Sequence, residues 1–343
     1  MKKREAMNRL TAAAIGFVVL LSITGVYAHV PQGSSDNTSL EAARHVDDPT
    51  KSWVFYDGIT QQGQVRYYFL HMKAGQRIRV SLFTPKEDAF TPGFAIMGMP
   101  LDALGAVPSH LEVPDSYNVR MYPGKGGEAK YEPFTPGAYY YTAETDITVP
   151  VDGTYYIAVL ANGGTGPFGL AVGYEERYSL IEWVRVATDA VRIHLWEGKS
   201  LIEIFYPYIL AAVGALFLAW RRKGQLGSTV SVFGAVTLIV SALYVGSGLT
   251  ILHHCTTSVA RAGVEPTIAI TLIFAALPIL IGRAVYRLGW AHPTSIIGRE
   301  QRLRMALYSG LGIVVWAGLI VGPLIAFGGS LAPRAVLEMP LTS

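Results

Sequence analysis

Three groups of residues have types and spacings that could do chemistry. The first is His29. Lys2, Lys3, Arg4 and Arg9 precede an apolar run, Leu10 to Val26, that ends in Val26-Tyr27-Ala28. That is the pattern of a secretory signal peptide or, uncleaved, of an N-terminal anchor. Cleavage after Ala28 would put a free amine and an imidazole on one residue, and neutral imidazole is a favoured copper ligand. Further ligands would have to come from His45, His71 or His110, none of which sits in a ligand-spaced motif.

The second group is His253-His254-Cys255, two imidazoles and the chain's one thiol at the edge of an apolar run. These are ligand types for a metal or haem. Neighbours on a helix point about 100° apart, so the three converge on one ion only where the helix has ended. The alternative is a set of interfacial residues capping a membrane span. The third group is aromatic: Tyr117, Tyr122, Tyr131, Tyr139, Tyr140 and Tyr141 lie in one Pro- and Gly-rich region, Pro100 to Asp146. Tyrosine offers broad amphipathic contact at low rotamer cost, suited to a sugar ring or a protein partner, although half of these could be core. No nucleophile, base and acid set, phosphate loop or metalloprotease motif accompanies them. Catalysis is therefore not expected, nor is a cofactor beyond the copper or haem alternative.

The elements that must position these residues follow from composition and period. Of 343 residues, 51% are hydrophobic and only 15% charged, against about 25% charged in soluble domains, so part of the chain faces lipid. Net charge is +3 with no long basic block, which gives no reason to expect nucleic acid as a partner. With one cysteine, an intrachain disulfide is excluded, and an exported domain must rely on its own core or on the bilayer.

The stretch Val151 to Tyr174 has a period of two on both sides of a Gly/Asn-rich turn, so it reads as the last two strands of a β-sandwich. Gly63 to Leu82 reads as a hairpin turning at Ala74-Gly75, and Phe94, Ile96 and Met97 mark a further strand. Pro100 to Asp146 is expected to be an elaborated loop with one or two strands. From Tyr178 to Lys199 the period becomes helical, with charges opposite the apolar stripe and a tryptophan near each end, as in a helix lying at a membrane surface.

Four apolar runs follow: Leu201 to Trp220, Ser228 to Leu252, Thr267 to Gly282 and Met305 to Gly329. Each is long enough, or nearly so, to cross about 30 Å of hydrocarbon. Arg221, Arg222 and Lys223 follow the first, and five arginines lie between the third and fourth. By the positive-inside rule those loops are cytoplasmic, which puts the sandwich, a loop from His253 to Pro266 and the C-terminus outside.

Two segments carry a resemblance. Gly63 to Gln76, with Tyr67-Tyr68-Phe69 and Lys73-Ala74-Gly75-Gln76, and Asp152 to Val172, with Asp-Gly-Thr-Tyr-Tyr-Ile-Ala-Val and Gly-Pro-Phe-Gly-Leu-Ala-Val, resemble the pre-peptidase C-terminal domain. That resemblance implies a jelly-roll sandwich. Arg66 and Phe94 to Met97 depart from the family's acidic positions, which puts an acidic ion site of that kind in doubt. The wider arrangement, Asp48 to Trp53 ahead of the sandwich and four spans behind it, resembles an uncharacterised family of archaeal membrane proteins and implies a fold and location without an activity.

The expected organisation is thus residues 1–28 as signal peptide or anchor, 29–51 as a polar lead-in, 52–176 as an extracytoplasmic all-β jelly-roll-like sandwich, 177–199 as an interfacial amphipathic helix, 200–330 as four transmembrane helices and 331–343 as an outer tail. The expected function is a cell-membrane-anchored, non-enzymatic surface module binding an envelope glycan or a protein partner. The alternative is a copper- or haem-linked membrane protein using His29 or the His253, His254 and Cys255 group.

Overall fold

A computed structural model describes residues 29–87, 90–161, 163–226, 230–290 and 297–341. The signal peptide or anchor expected at 1–28 lies outside them. Among the described residues eleven strands form two sheets that pack face to face. The six-stranded sheet has the order β1 (Val30–Gln32), β3 (Trp53–Ile59), β11 (Gly166–Val172), β5 (Arg77–Thr84), β9 (Gly137–Thr148), β8 (Ala129–Glu132). The five-stranded sheet runs β2 (Arg44–His45), β4 (Val65–Met72), β10 (Gly153–Leu160), β6 (Gly93–Gly98), β7 (Asn118–Tyr122).

The Val151 to Tyr174 stretch supplies an interior strand to each sheet. Ile157 on β10 stands opposite Tyr68 and Ile96, and Leu170 on β11 opposite Phe55 and Leu82. These six side chains meet in one core between the sheets, none more than 3% exposed. Burial of that area is the main favourable term holding the sheets together. At the β4–β5 turn Gly75 takes φ +83°, a conformation glycine reaches without steric penalty.

Two expectations about this domain need correction. Residues 29–51 are no lead-in arm: β1 pairs in parallel with β3, and β2 with β4. Their polarity misled because edge strands bury only one face. The long region 100–146 holds β7, β8 and all but the last two residues of the twelve-residue β9, whose first half carries three consecutive tyrosines, Tyr139 to Tyr141, and so lacks the alternation of aliphatics with polars.

Helix α1 (Leu180–Trp196) starts at a capping box, Ser179 with Glu182, which satisfies two otherwise unpaired backbone donors. Lys51 holds Glu182 at 2.7 Å, and Trp196 at the far end donates from Nε1 to the Asp57 carbonyl at 2.9 Å. Both ends of α1 are thus tied to the six-stranded sheet. Leu180 and Ile181 remain exposed.

Among the described residues three helices are long and apolar enough to cross a membrane, within α2 (Leu201–Leu226), α3 (Val232–Ala262) and α4 (Ile268–Trp290). Helix α3 is the hub. Gly246 leaves room for the Tyr208 ring of α2, and Gly248 for the Ala275 carbonyl of α4, the close approach that small residues permit in membrane helices. Its helix continues ten residues past Leu252, so His253, His254 and Cys255 lie inside it and not in a loop.

The fourth apolar run is not one span. It forms α5 (Arg299–Val314) and α6 (Val321–Leu331), followed by the short α7 (Arg334–Leu337). Arg302 near the start of α5 donates to the carbonyls of Ser330 and Leu331 at the end of α6, and Ser309 donates to the Pro323 carbonyl, so the pair is an antiparallel hairpin. The reversal occurs at residues 315–320, where Trp316, Gly318 and Leu319 have φ of +54°, +69° and +53°. The buried Tyr244 ring fits against Gly312, Gly318 and Gly322, positions where a Cβ would come within 3 Å of it. As a consequence the tail, expected on the sandwich side, sits at the opposite end of the bundle: Val232 and Leu341 donate to the carbonyls of Met339 and Val230.

Candidate functional site at the junction of sandwich and helices

Alternation in the six-stranded sheet turns one set of side chains away from the core and toward α1. On β3 these are Val54 and Tyr56, and on β9 Tyr139 and Tyr141. A bulge that skips Thr142 places Phe83 of β5 beside Tyr141. The Trp196 ring packs onto Tyr56, Phe83 and Tyr139, with centroids 4.9–6.1 Å apart.

Beyond this aromatic layer lies a cavity of about 200 Å³. The sheet contributes Tyr56, Tyr139, Tyr141 and Glu132, the segment before α1 contributes Glu176 and Tyr178, and Trp183 and Trp316 close it from α1 and the hairpin tip. Trp316 donates to the Trp183 carbonyl at 2.9 Å and stacks on Phe274, centroids 4.9 Å apart. Below it a second space of about 70 Å³, mostly apolar, lies among α1, α2, α3 and the hairpin tip. The two spaces share Phe134, Thr135, Val186 and Trp316 as walls.

A buried polar network adjoins the lower space. Around the Lys199 ammonium lie Oε2 of Glu197 at 2.6 Å and the Nδ1 atoms of His194 and His254 at 3.1 Å each. Glu197 also accepts from the Tyr139 hydroxyl at 2.7 Å and lies 2.9 Å from His194 Nδ1. The two imidazoles are 3.9 Å apart, centroid to centroid. Nε2 of His254 is buried without a hydrogen-bond partner. Burial alone would raise the Glu197 pKa, but the His194 hydrogen bond, with the charges of His194 and Lys199, holds it at about 2. Burial depresses both Lys199, against the pull of Glu197, and His194.

The ionisable groups of the upper cavity behave differently. Burial raises Glu132 to about 8; the Phe134 N–H opposes this and the Glu176 charge adds to it. His29, whose Nδ1 lies 2.5 Å from the Ser52 hydroxyl, is lowered to about 4 by burial and by Arg79.

The residues singled out in the sequence fall into separate places. Tyr139 and Tyr141 line the cavity, as does His29. Tyr131 lies at the contact with the membrane helices, donating to Thr271 at 2.8 Å and lying 3.2 Å from Cys255 Sγ. Tyr140 alternates to the opposite face of β9. Tyr117 and Tyr122 belong to the other sheet, against Tyr156 and Phe94. His253, His254 and Cys255 diverge, toward Tyr206, His194 and Tyr131 respectively. His45 and His71 stand 5.3 Å apart in the five-stranded sheet, whereas His29 precedes an edge strand of the six-stranded one. Among the described residues no group of three or more His, Cys, Asp or Glu side chains is disposed to hold a metal ion. Sequence reasoning missed Glu132, His194, Glu197 and Lys199, whose partners lie up to 58 residues away.

No family model and no curated protein matches the chain. Among solved structures, the surface-associated copper-binding protein CorA, important in copper acquisition by Methylomicrobium album BG8, is similar over 43% of this chain and 100% of that one, with 13% identity and a TM-score of 0.20. A likeness that slight carries no argument here.

Proposed function

We propose that this protein is a membrane-anchored, non-enzymatic binding module whose site is the junction cavity and whose ligand is a single-chain amphiphile. The headgroup occupies the upper, aromatic and acidic space, and the chain leaves through the lower, apolar one. The observation that supports this is the shared wall: Phe134, Thr135, Val186 and Trp316 line both spaces, which lie side by side. At about 200 Å³ the upper space is below the ~300–1,000 Å³ of drug-sized pockets, so it suits a headgroup better than a glycan chain. The strand order, β3-β11-β5-β9 facing β4-β10-β6-β7, supports reading the sandwich as a jelly roll. The Arg-rich loops support an orientation with the sandwich outside.

The test uses the full chain in nanodiscs of neutral lipid and single-chain dodecyl amphiphiles. Wild type is expected to bind one equivalent saturably, and Val186→Trp, which enlarges a side chain lining both spaces, to bind none while still unfolding cooperatively. Equal saturable binding by both proteins would overturn the assignment.

A further inference from the structure

We propose that the headgroup this cavity accepts is an organic cation, a protonated or quaternary amine, with Glu132 as its counter-charge. The inference rests on the amphiphile reading and adds a charge class to it. Its first support is the inventory of the walls. Tyr56, Tyr139, Tyr141, Tyr178, Trp183 and Trp316 supply aromatic surface, the other ionisable groups are His29, Glu132 and Glu176, and no lysine or arginine lines the space. His29, depressed to about 4, is neutral at pH 7. The nearby cations lie outside the lining, Lys130 over the Tyr141 ring at 4.8 Å and Arg79 acting on His29; the lining itself carries zero or negative charge, and a cation against its aromatic walls gains from both the carboxylate and the remaining ring quadrupoles.

The state of Glu132 is the second support. Its carboxyl accepts the Phe134 N–H at 3.2 Å and is pushed up to about 8 by burial, with Glu176 adding to the effect. A carboxyl in that condition lacks a compensating positive charge, and a cation placed beside it would restore the ionised form. The alternatives fit the same walls less well. An anion would meet Glu132 and Glu176 with no basic side chain to offset them. A hard divalent ion wants about six to eight oxygens, and aromatic walls do not supply them. A neutral headgroup would use Glu132 only as a hydrogen-bond donor, and that case is separated by the experiment.

Dodecyltrimethylammonium and dodecyldimethylphosphine oxide, equal in chain, close in headgroup size and different in charge, are titrated into the full chain in neutral nanodiscs. The cation is expected to bind about tenfold more tightly. Because its charge is permanent, any pH dependence belongs to the protein: its affinity should rise about tenfold between pH 6 and pH 8, as the Glu132 proton is lost on binding. Glu132→Gln should abolish both effects while keeping a cooperative thermal unfolding transition, which shows that the variant is folded. Equal affinity for the two ligands, or a cation preference that survives Glu132→Gln, would overturn the charge assignment and leave the amphiphile reading intact. Saturable binding of neither would overturn both.

Discussion

The Tyr139 hydroxyl donates a 2.7 Å hydrogen bond to Oε1 of Glu197, joining the outer face of β9 to the residue that caps the C-terminus of α1. A carboxylate is unfavourable at that end of a helix, where the backbone dipole is negative. Lys199 and His194 offset it from the other side. One carboxylate thereby links the sheet, the surface helix and, through Lys199, His254 of α3. The wall shared by cavity and network, Tyr139, is fixed by this link.

Removing one member of that network leaves a buried charge without its partner. Glu197→Gln or Lys199→Met is each expected to destabilise the protein by about 3 kcal/mol or more. The double variant should cost less than the sum by roughly 0.5–3 kcal/mol, because each single change strands the other group. Thermal or denaturant unfolding of the full chain in detergent reads the cycle; strict additivity would contradict the geometry.

Glu132 should make stability fall with rising pH. In the unfolded chain its carboxyl ionises near its ordinary value of 4.5, whereas the folded one keeps its proton to about 8. The folded state binds more protons across that window, so stability is lost as pH climbs from 4.5 to 8. Glu132→Gln is expected to raise the unfolding temperature at pH 8 and to change it little at pH 4.5. His29 works in the opposite sense: lowered from 6.5 to about 4, it contributes stability that is present above 6.5 and lost as pH falls through 4, and His29→Gln should flatten that acid limb.

The strands and the spans were legible because burial leaves a period: two along β10 and β11, and unbroken apolarity along α2, α3 and α4. The hairpin was not, since hydropathy sums over Met305 to Gly329 without registering that Trp316, Gly318 and Leu319 reverse the chain. Nor was the site. Glu132 is one acidic residue in a polar strand, and His254 looked like one of three consecutive ligands; only packing turns it toward His194 of α1 and separates it from His253 and Cys255.

The hairpin depends on the absence of side chains around one ring. A Cβ on Gly312 would lie 2.3 Å from the Tyr244 hydroxyl oxygen, and one on Gly322 would lie 2.7 Å from the ring. Gly312→Ala and Gly322→Ala should each cost about 1–3 kcal/mol by overpacking. Tyr244→Leu should largely remove that further penalty in the double variants, as unfolding in detergent would show.

A hairpin also fixes where the tail emerges. In a Cys255→Ser background, cysteines placed at Arg221 and Leu341 should react with a membrane-impermeant maleimide from the same side of a vesicle, and a cysteine at His110 from the other. Labelling of positions 341 and 110 from one side would restore a fourth full span.

The most direct test of the junction site is photocrosslinking of the full chain in nanodiscs with an alkylamine amphiphile carrying a diazirine beside its amine. Peptide mapping should place the adducts on walls of the upper space, Glu132, Tyr139, Tyr141, Trp183 and Trp316, and competition with dodecyltrimethylammonium should remove them. Adducts confined to the exposed apolar face of α2, at Ile209, Val213 and Phe217, and indifferent to competitor would contradict the assignment.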